Sequence, residues 1–241
     1  LHVRSRRQRQ MCIRDRFMGI KKPIPVFNWT GDVREHLNDY LPLGKEVITV
    51  FSNYTDVLKM RELGYRADYL QTGYDNYHYK LETLHRLNRI VFIGNNYEAD
   101  FSQTDYRKKV VEALHESFGV DFVLYGCGWG YLRPNSIPTK SKEHEREVYN
   151  SNLLAINVNH IKRQRYYSDR QLRAMACGAF TLVQDYEDSE HEFKKGVHFD
   201  AWETIDELIE KCNHRIINRN ETLQLAYNAA DYVYNNCTWF S

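Results

Sequence analysis

The 241 residues of this chain are 42% hydrophobic and 14% aromatic, enough to bury a large core in one or two domains and too apolar for a generally disordered chain. The formal charge of +1 hides an asymmetry. Residues 1–16 (LHVRSRRQRQMCIRDR) hold six arginines against one acid, Asp15, so the 33 basic and 32 acidic residues of the whole become 27 and 31 over the remainder, a net charge of −4. Nothing approaches eighteen consecutive apolar residues, which excludes a transmembrane segment.

By charge alone the first segment suits a nucleic-acid arm or an organelle transit peptide. We take it instead as a non-native extension. RQRQMCIRDR resembles a translated sequencing adapter, it lacks the apolar run of a signal peptide, and FMGIKKPIPVFNW after it reads as a native start. No nucleic-acid partner is expected.

From residue 17 onward, apolar runs of strand length alternate with amphipathic runs of helix length, the pattern of an α/β fold with parallel strands. The first series is a strand in PIPVFNW, a helix over residues 33–40, a strand in EVITVFSN, a helix in YTDVLKMRELG closed by Gly64, and a strand in RADYLQTG. A polar, aromatic-rich connection covers residues 74–87. The second series opens with a strand in RIVFIGNNY, a helix in TDYRKKVVEALHESFG and a strand in DFVLYGCGW. A loop with Pro134 and Pro138 follows, then a helix across KEHEREVYN, a strand in LLAINVNH, a helix and strand in SDRQLRAMACGAFTLVQDY, and helices around AWETIDELIEKCNHRI and ETLQLAYNAADYVYNN. Two such series predict two Rossmann-like domains facing each other across a cleft, residues 17–85 and 86–241. Three strands in about 70 residues leave exposed sheet edges and a marginal core. The first domain is therefore expected to be truncated and the second nearly complete.

Cys127, Cys177, Cys212 and Cys237 sit among ordinary neighbours with no CxxC pair, the usage of a reducing, cytoplasmic compartment. No HExxH occurs, and His191, Glu192 and His198 lack metal-ligand spacing. No D-x-D follows residue 16, and Asp185 and Asp188 read as loop residues. Neither a metal nor another cofactor is expected.

The stretch YYSDRQLRAMACGAFTLVQDY carries the strongest functional signal. With NLLAINVNH before it, it reads as a strand, helix, strand crossover, a right-handed unit whose ligands lie beyond the carboxyl ends of the strands. Ser168 or Asp169 suits the N-cap, Leu172, Met175 and Ala176 the buried face, and Gly178 the left-handed position after the last turn. The helix start then faces the ligand side, where free N–H groups favour an anion. Arg170 in the first turn opposes the helix dipole unless an anion sits there, and its fork suits a phosphate. Arg173 and the basic loop of Lys162, Arg163 and Arg165 add charge at the same end. Ordinary surface arginines on a solvated loop fit the spacing equally well.

The chain resembles glycosyltransferases of the GT-B fold, specifically the spore-maturation-protein-like (CgeB-like) group of the glycosyltransferase group 1 superfamily. The resemblance rests on Ser168, Arg170, RAMACGAFTL, then Glu190, Phe193 and Gly196 in SEHEFKKGVHF, with VFIGNNY, VLYGCGW and YNSNLLAINVNH upstream and CTW at the end. It spans residues 17–241 and is most specific from Arg89 onward. It implies a C-terminal domain that binds a nucleotide sugar and an N-terminal domain that binds a carbohydrate or glycoconjugate acceptor. Ser168, Asp169 and Arg170 would hold the donor diphosphate, with Arg170 stabilising the leaving group. Gly94 and Asn95 would offer backbone amides to the same phosphates, and Tyr125, Gly126 and Trp129 would flank the nucleoside. Gly94 as a strand-end turn and Trp129 as core remain open alternatives. The superfamily usually carries a glutamate before AMACG and another eight residues earlier, where this chain has Arg173 and Arg165. Arginine accepts no hydrogen bond, so ribose recognition must differ.

The implied activity is metal-independent transfer of a sugar, hexosyltransferase-like and retaining, performed poorly by a chain lacking most of its acceptor domain. A non-catalytic nucleotide- or glycan-binding descendant is the alternative. A dinucleotide-dependent oxidoreductase is disfavoured, since no G-x-G-x-x-G follows a predicted first strand.

Overall fold

The computed structural model describes residues 25–31, 33–82, 85–96, 101–132 and 141–239. The basic segment 1–16 and the loop with Pro134 and Pro138 lie outside them. The chain divides into two compact units, Leu1–Gln71 and Thr72–Ser241.

In the first unit, β1 (Phe27–Thr30), β2 (Ile48–Phe51) and β3 (Ala67–Tyr69) form a parallel sheet in that order. Helix α1 (Tyr54–Glu62) crosses from β2 to β3. It is started by Asn53, whose side chain accepts from the Asp56 amide at 2.9 Å, and Gly64 beyond its end takes φ +77°. Phe51, Val57, Met60 and Ala67 close a small core with Tyr40. The helix expected over residues 33–40 is absent. Two three-residue 3-10 turns stand there instead, Leu37–Asp39 and Leu41–Leu43. Pro42 has no N–H and disfavours the helical conformation at Leu41 before it, so an α-helix cannot run on.

The second unit takes in residues 72–86, the stretch that the sequence suggested as a join. Its sheet comprises β4 (Leu87–Ile93), β5 (Phe122–Tyr125), β6 (Asn152–Asn157), β7 (Phe180–Gln184) and β8 (Phe199–Trp202), all parallel, in the order β5-β4-β6-β7-β8. Helices α2 (Thr104–Phe118), α3 (Lys142–Ser151), α4 (Asp169–Ala176), α5 (Ile205–Ile217) and α6 (Arg219–Asn236) pack on both faces. Alternate strand residues separate cleanly. Ile90, Phe92, Leu154, Ile156, Phe180 and Leu182 join Val110, Val111, Leu114 and Leu208 of α2 and α5 on one face. Val91, Ala155 and Val183 join Val148, Leu172, Met175 and Val233 of α3, α4 and α6 on the other. Each of these side chains larger than alanine contributes about 1.5–3 kcal/mol of burial. All six residues of β6 are buried, as the central strand of a doubly covered sheet requires.

Strand β8 was not legible in the sequence: its four residues precede α5 directly and lie at the sheet edge. The strand order reverses direction at β4, with β5 on one side and β6 on the other. Between the carboxyl ends of β4 and β6 lies the switch point at which ligands of such sheets bind. Among the described residues, no helix is long and apolar enough to cross a membrane.

Candidate functional site

The end of β4 and the end of β5 are locked together. Gly94 N donates to Tyr125 O at 2.8 Å and Asn96 N to Cys127 O at 2.8 Å. The Asn95 side chain accepts from Cys127 N at 2.9 Å, and Asn96 Nδ2 reaches Gly128 O at 3.1 Å. A Cβ on Gly126, whose φ is +139°, would collide with the Gly94 carbonyl. Only glycine permits this approach. The Gly94 amide is therefore spent on the strand ladder and does not serve a phosphate as the resemblance implied.

What Gly94 supplies is space. A Cβ there would stand 2.8 Å from Arg170 Nη1 and 3.0 Å from Arg107 Nη2. Two guanidinium groups thus converge on the carboxyl end of β4. Arg170 comes from the first turn of α4; its Nη1 lies 3.4 Å from Ile93 O and its Nε 3.5 Å from Ser168 Oγ. It makes no ion pair among the described residues. Arg107 is buried on α2, over the ring of Phe92, and donates to the carbonyls of Val158 and Asn95. Those carbonyls follow β6 and β4, so Arg107 bridges the switch point. The sequence held a signal for it, a cation at the buried-face spacing of Val110, Val111 and Leu114, that the sequence analysis did not use. Burial, then the charges of Arg107 and Arg170, hold the imidazole of His160 neutral by moving its pKa from 6.5 to about 3. The switch point is electropositive.

Ser168 occupies the N-cap of α4 but its hydroxyl does not cap the helix; it donates to Asn157 Oδ1 at 3.3 Å. Among the described residues, the amides of Asp169 and Arg170 have no acceptor. Gly178 takes φ +72° after the last turn, and Leu172, Met175 and Ala176 are buried, as the pattern predicted.

The other expected residues divide. Asp169 and Arg173 pair with each other one turn apart. Arg173 also donates to Glu145 of α3 at 3.3 Å and lies 5.0 Å over the ring of Tyr79, whose hydroxyl donates to Glu145 at 2.9 Å. Trp129 is 1% exposed, edge-on to Phe92, with its indole N–H on Gly94 O at 2.8 Å. It is core and has no open face for a nucleoside. Tyr125 is half-buried and packs edge-to-face with His144, ring centroids 5.7 Å apart, and burial raises its pKa. Glu190 stays exposed on the loop after β7, accepting from the Lys195 amide at 3.2 Å, with no hydrogen bond to Arg170 or Ser168. Arg165, with φ +56°, pins that loop through Asp188 at 2.5 Å, while Asp185 pairs with Lys195 at 2.9 Å. Among the described residues no cluster could hold a metal ion.

A model of the Glycosyl transferase-like family matches residues 103–240, more than half of the chain and most of the second unit. The chain belongs to this family. No curated protein sequence matches it. Among solved structures, this glycosyl transferase-like chain is similar to Anabaena HepE in complex with UDP-glucose, with TM-score 0.67 and 11% identity over 89% of this chain and 68% of that one. It is similar to sucrose-phosphate synthase from Thermosynechococcus elongatus, with TM-score 0.65 and 10% identity over 89% of this chain and 64% of that one. The C-terminal domain of a group 1 family glycosyl transferase from Francisella tularensis is covered completely by 69% of this chain, at TM-score 0.53 and 10% identity. At these identities the likeness is one of fold: the chain has the α/β, parallel-sheet architecture of GT-B glycosyltransferases.

Proposed function

We propose that the chain is the donor-holding part of a glycosyltransferase that moves a sugar from a nucleoside diphosphate to a carbohydrate or glycoconjugate. The observation that carries this reading is the position of Arg170: a guanidinium that among the described residues makes no ion pair, at the N-terminus of α4, beside two amides with no acceptor among those residues and the electropositive end of β4. A diphosphate placed there receives charge-assisted hydrogen bonds and the positive end of the helix dipole. The same groups stabilise the negative charge that grows on the departing diphosphate as the anomeric bond breaks, with no metal required. Retention at the anomeric carbon, a place in the CgeB-like group and a cytoplasmic location rest on the resemblance and on cysteine usage. The sequence suggested 17–85 for the acceptor side and 86–241 for the donor side; residues 72–85 group with the second compact unit, that of the proposed donor side.

A non-catalytic descendant is the second reading, favoured by Arg173. It stands where the superfamily carries a carboxylate, and it is tied to Asp169 and Glu145. Calorimetric titration with UDP and with UDP-glucose, the ligand of HepE, tests the binding reading, and release of UDP from UDP-glucose separates the two. Binding with turnover supports the transferase, and binding without turnover supports the descendant. Absence of binding by any common nucleoside diphosphate overturns the transferase and leaves only a glycan-binding descendant.

A further inference from the structure

The carboxyl end of β6 supports the switch point through three successive residues. Asn159 Nδ2 donates to Tyr166 O at 3.0 Å in the loop before α4, and Val158 O accepts from Arg107. Asn157 reaches α4 itself: its Nδ2 donates to Gln171 Oε1 at 3.1 Å, and its Oδ1 accepts from the Ser168 hydroxyl at 3.3 Å. We infer that Asn157 and Gln171 are positioning residues for Arg170, holding its guanidinium at the end of β4 through the hydroxyl of Ser168. The positioning stands on this geometry; that the positioned cation receives a diphosphate rests on the transferase reading.

The chemistry of each group gives the series its direction. A guanidinium only donates, and Arg170 Nε faces Ser168 Oγ at 3.5 Å. A hydroxyl has one proton, which Ser168 gives to Asn157 Oδ1, leaving its lone pairs for Arg170. An N-cap serine ordinarily accepts from an amide of its own first turn. Ser168 does not, because its hydroxyl is committed to β6. With Oδ1 turned to Ser168, the amide of Asn157 presents its N–H to Gln171 Oε1.

Asn157 is 5% exposed and Gln171 0%, so solvent does not substitute for either link, and a satisfied buried network of this kind rigidifies what it holds. The second anchor printed on Arg170, from Nη1 to Ile93 O, is long at 3.4 Å. The guanidinium therefore depends on where Ser168 Oγ stands. Filling the core does not call for these amides: leucine at 157 and methionine at 171 have nearly the same volume and lack the hydrogen-bonding ends.

Asn157→Leu and Gln171→Met test the inference, with melting curves to establish that each is folded. In the isotope-labelled full chain without ligand, NMR relaxation reads the order parameter of the Arg170 Nε–H. It should fall in both variants, from about 0.85 for a rigid group to below about 0.6. The Nε–H of Arg107, whose partners are backbone carbonyls, should keep its native value. UDP affinity should drop about threefold to tenfold in each variant while uridine binds as before, and the drop should vanish when Arg170 is already alanine. An unchanged Arg170 order parameter overturns the inference. So does loosening of Arg107 along with Arg170, which marks a general loss of packing, or a drop in UDP affinity that persists in the Arg170→Ala background. Loosening of Arg170 alone, in a chain that binds no UDP, upholds the positioning and overturns the transferase reading instead.

Discussion

The guanidinium of Arg173 lies 3.3 Å from a carboxylate oxygen of Glu145, a residue only 7% exposed. A buried carboxylate costs several kcal/mol unless it is paired and hydrogen-bonded, and here Arg173 and the Tyr79 hydroxyl do both. The arginine that departs from the superfamily pattern is thus a structural partner of α3. We predict that Arg173→Ala lowers stability by about 1–3 kcal/mol, the cost of an acceptor left without its donor. Glu145→Gln in the Arg173→Ala background should recover part of it, because the uncompensated charge is removed. Urea unfolding of the single and double variants at neutral pH reads both, and independent, additive effects would show that the pair is not coupled.

Gly126 offers a sharper test of the β4–β5 lock. A side chain there meets both the φ of +139° and the Gly94 carbonyl carbon at 2.6 Å. Gly126→Ala should cost about 1–3 kcal/mol from the backbone conformation alone, and more from the displaced Gly94 loop. Gly130→Ala, where a Cβ meets nothing within 4 Å, is the control and should melt close to the native chain. Equal melting temperatures for the two variants would contradict the close approach.

Much of this architecture was legible because the second unit's strands and helices keep clean periods. LLAINVNH, DFVLYGCGW and TDYRKKVVEALHESFG announced β6, β5 and α2, and Gly64 and Gly178 marked helix ends by a need for positive φ that sequence pattern exposes. Local pattern misled where tertiary context decides. The run before Pro42 has helical spacing but folds as 3-10 turns. FDAW is too short to signal a strand until β7 offers it an edge. At the site, Arg170 was visible as an arginine out of place in a first turn. Arg107 was not, because its role arises from two carbonyls distant in sequence, those of Asn95 and Val158. For Trp129 the sequence left nucleoside flank and core both open, and its burial decides for core.

His160 makes the electropositive switch point measurable through pH. Burial first, then Arg107 and Arg170, hold its pKa at about 3 against 6.5 in the unfolded chain. Between those values the unfolded state binds the proton more readily, so the stability from this group is fully present above pH 6.5 and is lost as pH falls toward 3. The slope from one such group is at most about 1.4 kcal/mol per pH unit. The carboxylates with lowered pKa, such as Asp75 at about 2, lose their contribution only below their ordinary value of 3.8. Melting temperatures from pH 7 to 5 therefore isolate histidine. His160→Gln should flatten the decline over that window, and a decline as steep as in the native chain would refute the assignment.

Arg170 is expected to be the residue whose loss most weakens donor binding. Its guanidinium carries no ion pair among the described residues and stands beside the open amides of α4, so a diphosphate there offsets a cation that opposes the helix dipole. A charge-assisted contact of this kind is worth about 1.5–3 kcal/mol, so Arg170→Ala should weaken UDP binding roughly tenfold to a hundredfold. Arg170→Lys should recover only part, since an ammonium keeps the charge without the fork. Uridine, which has no phosphate, should bind all three proteins alike. Arg173→Ala should leave UDP affinity less affected than Arg170→Ala, because its charge is already committed to Asp169 and Glu145. Calorimetry of the four proteins with both ligands, alongside melting curves to establish folding, decides the matter. If Arg170→Ala held UDP as tightly as the native chain while Arg173→Ala did not, the phosphate site would lie one turn along the helix, and the ion pairs of Arg173 would have to open to admit the ligand.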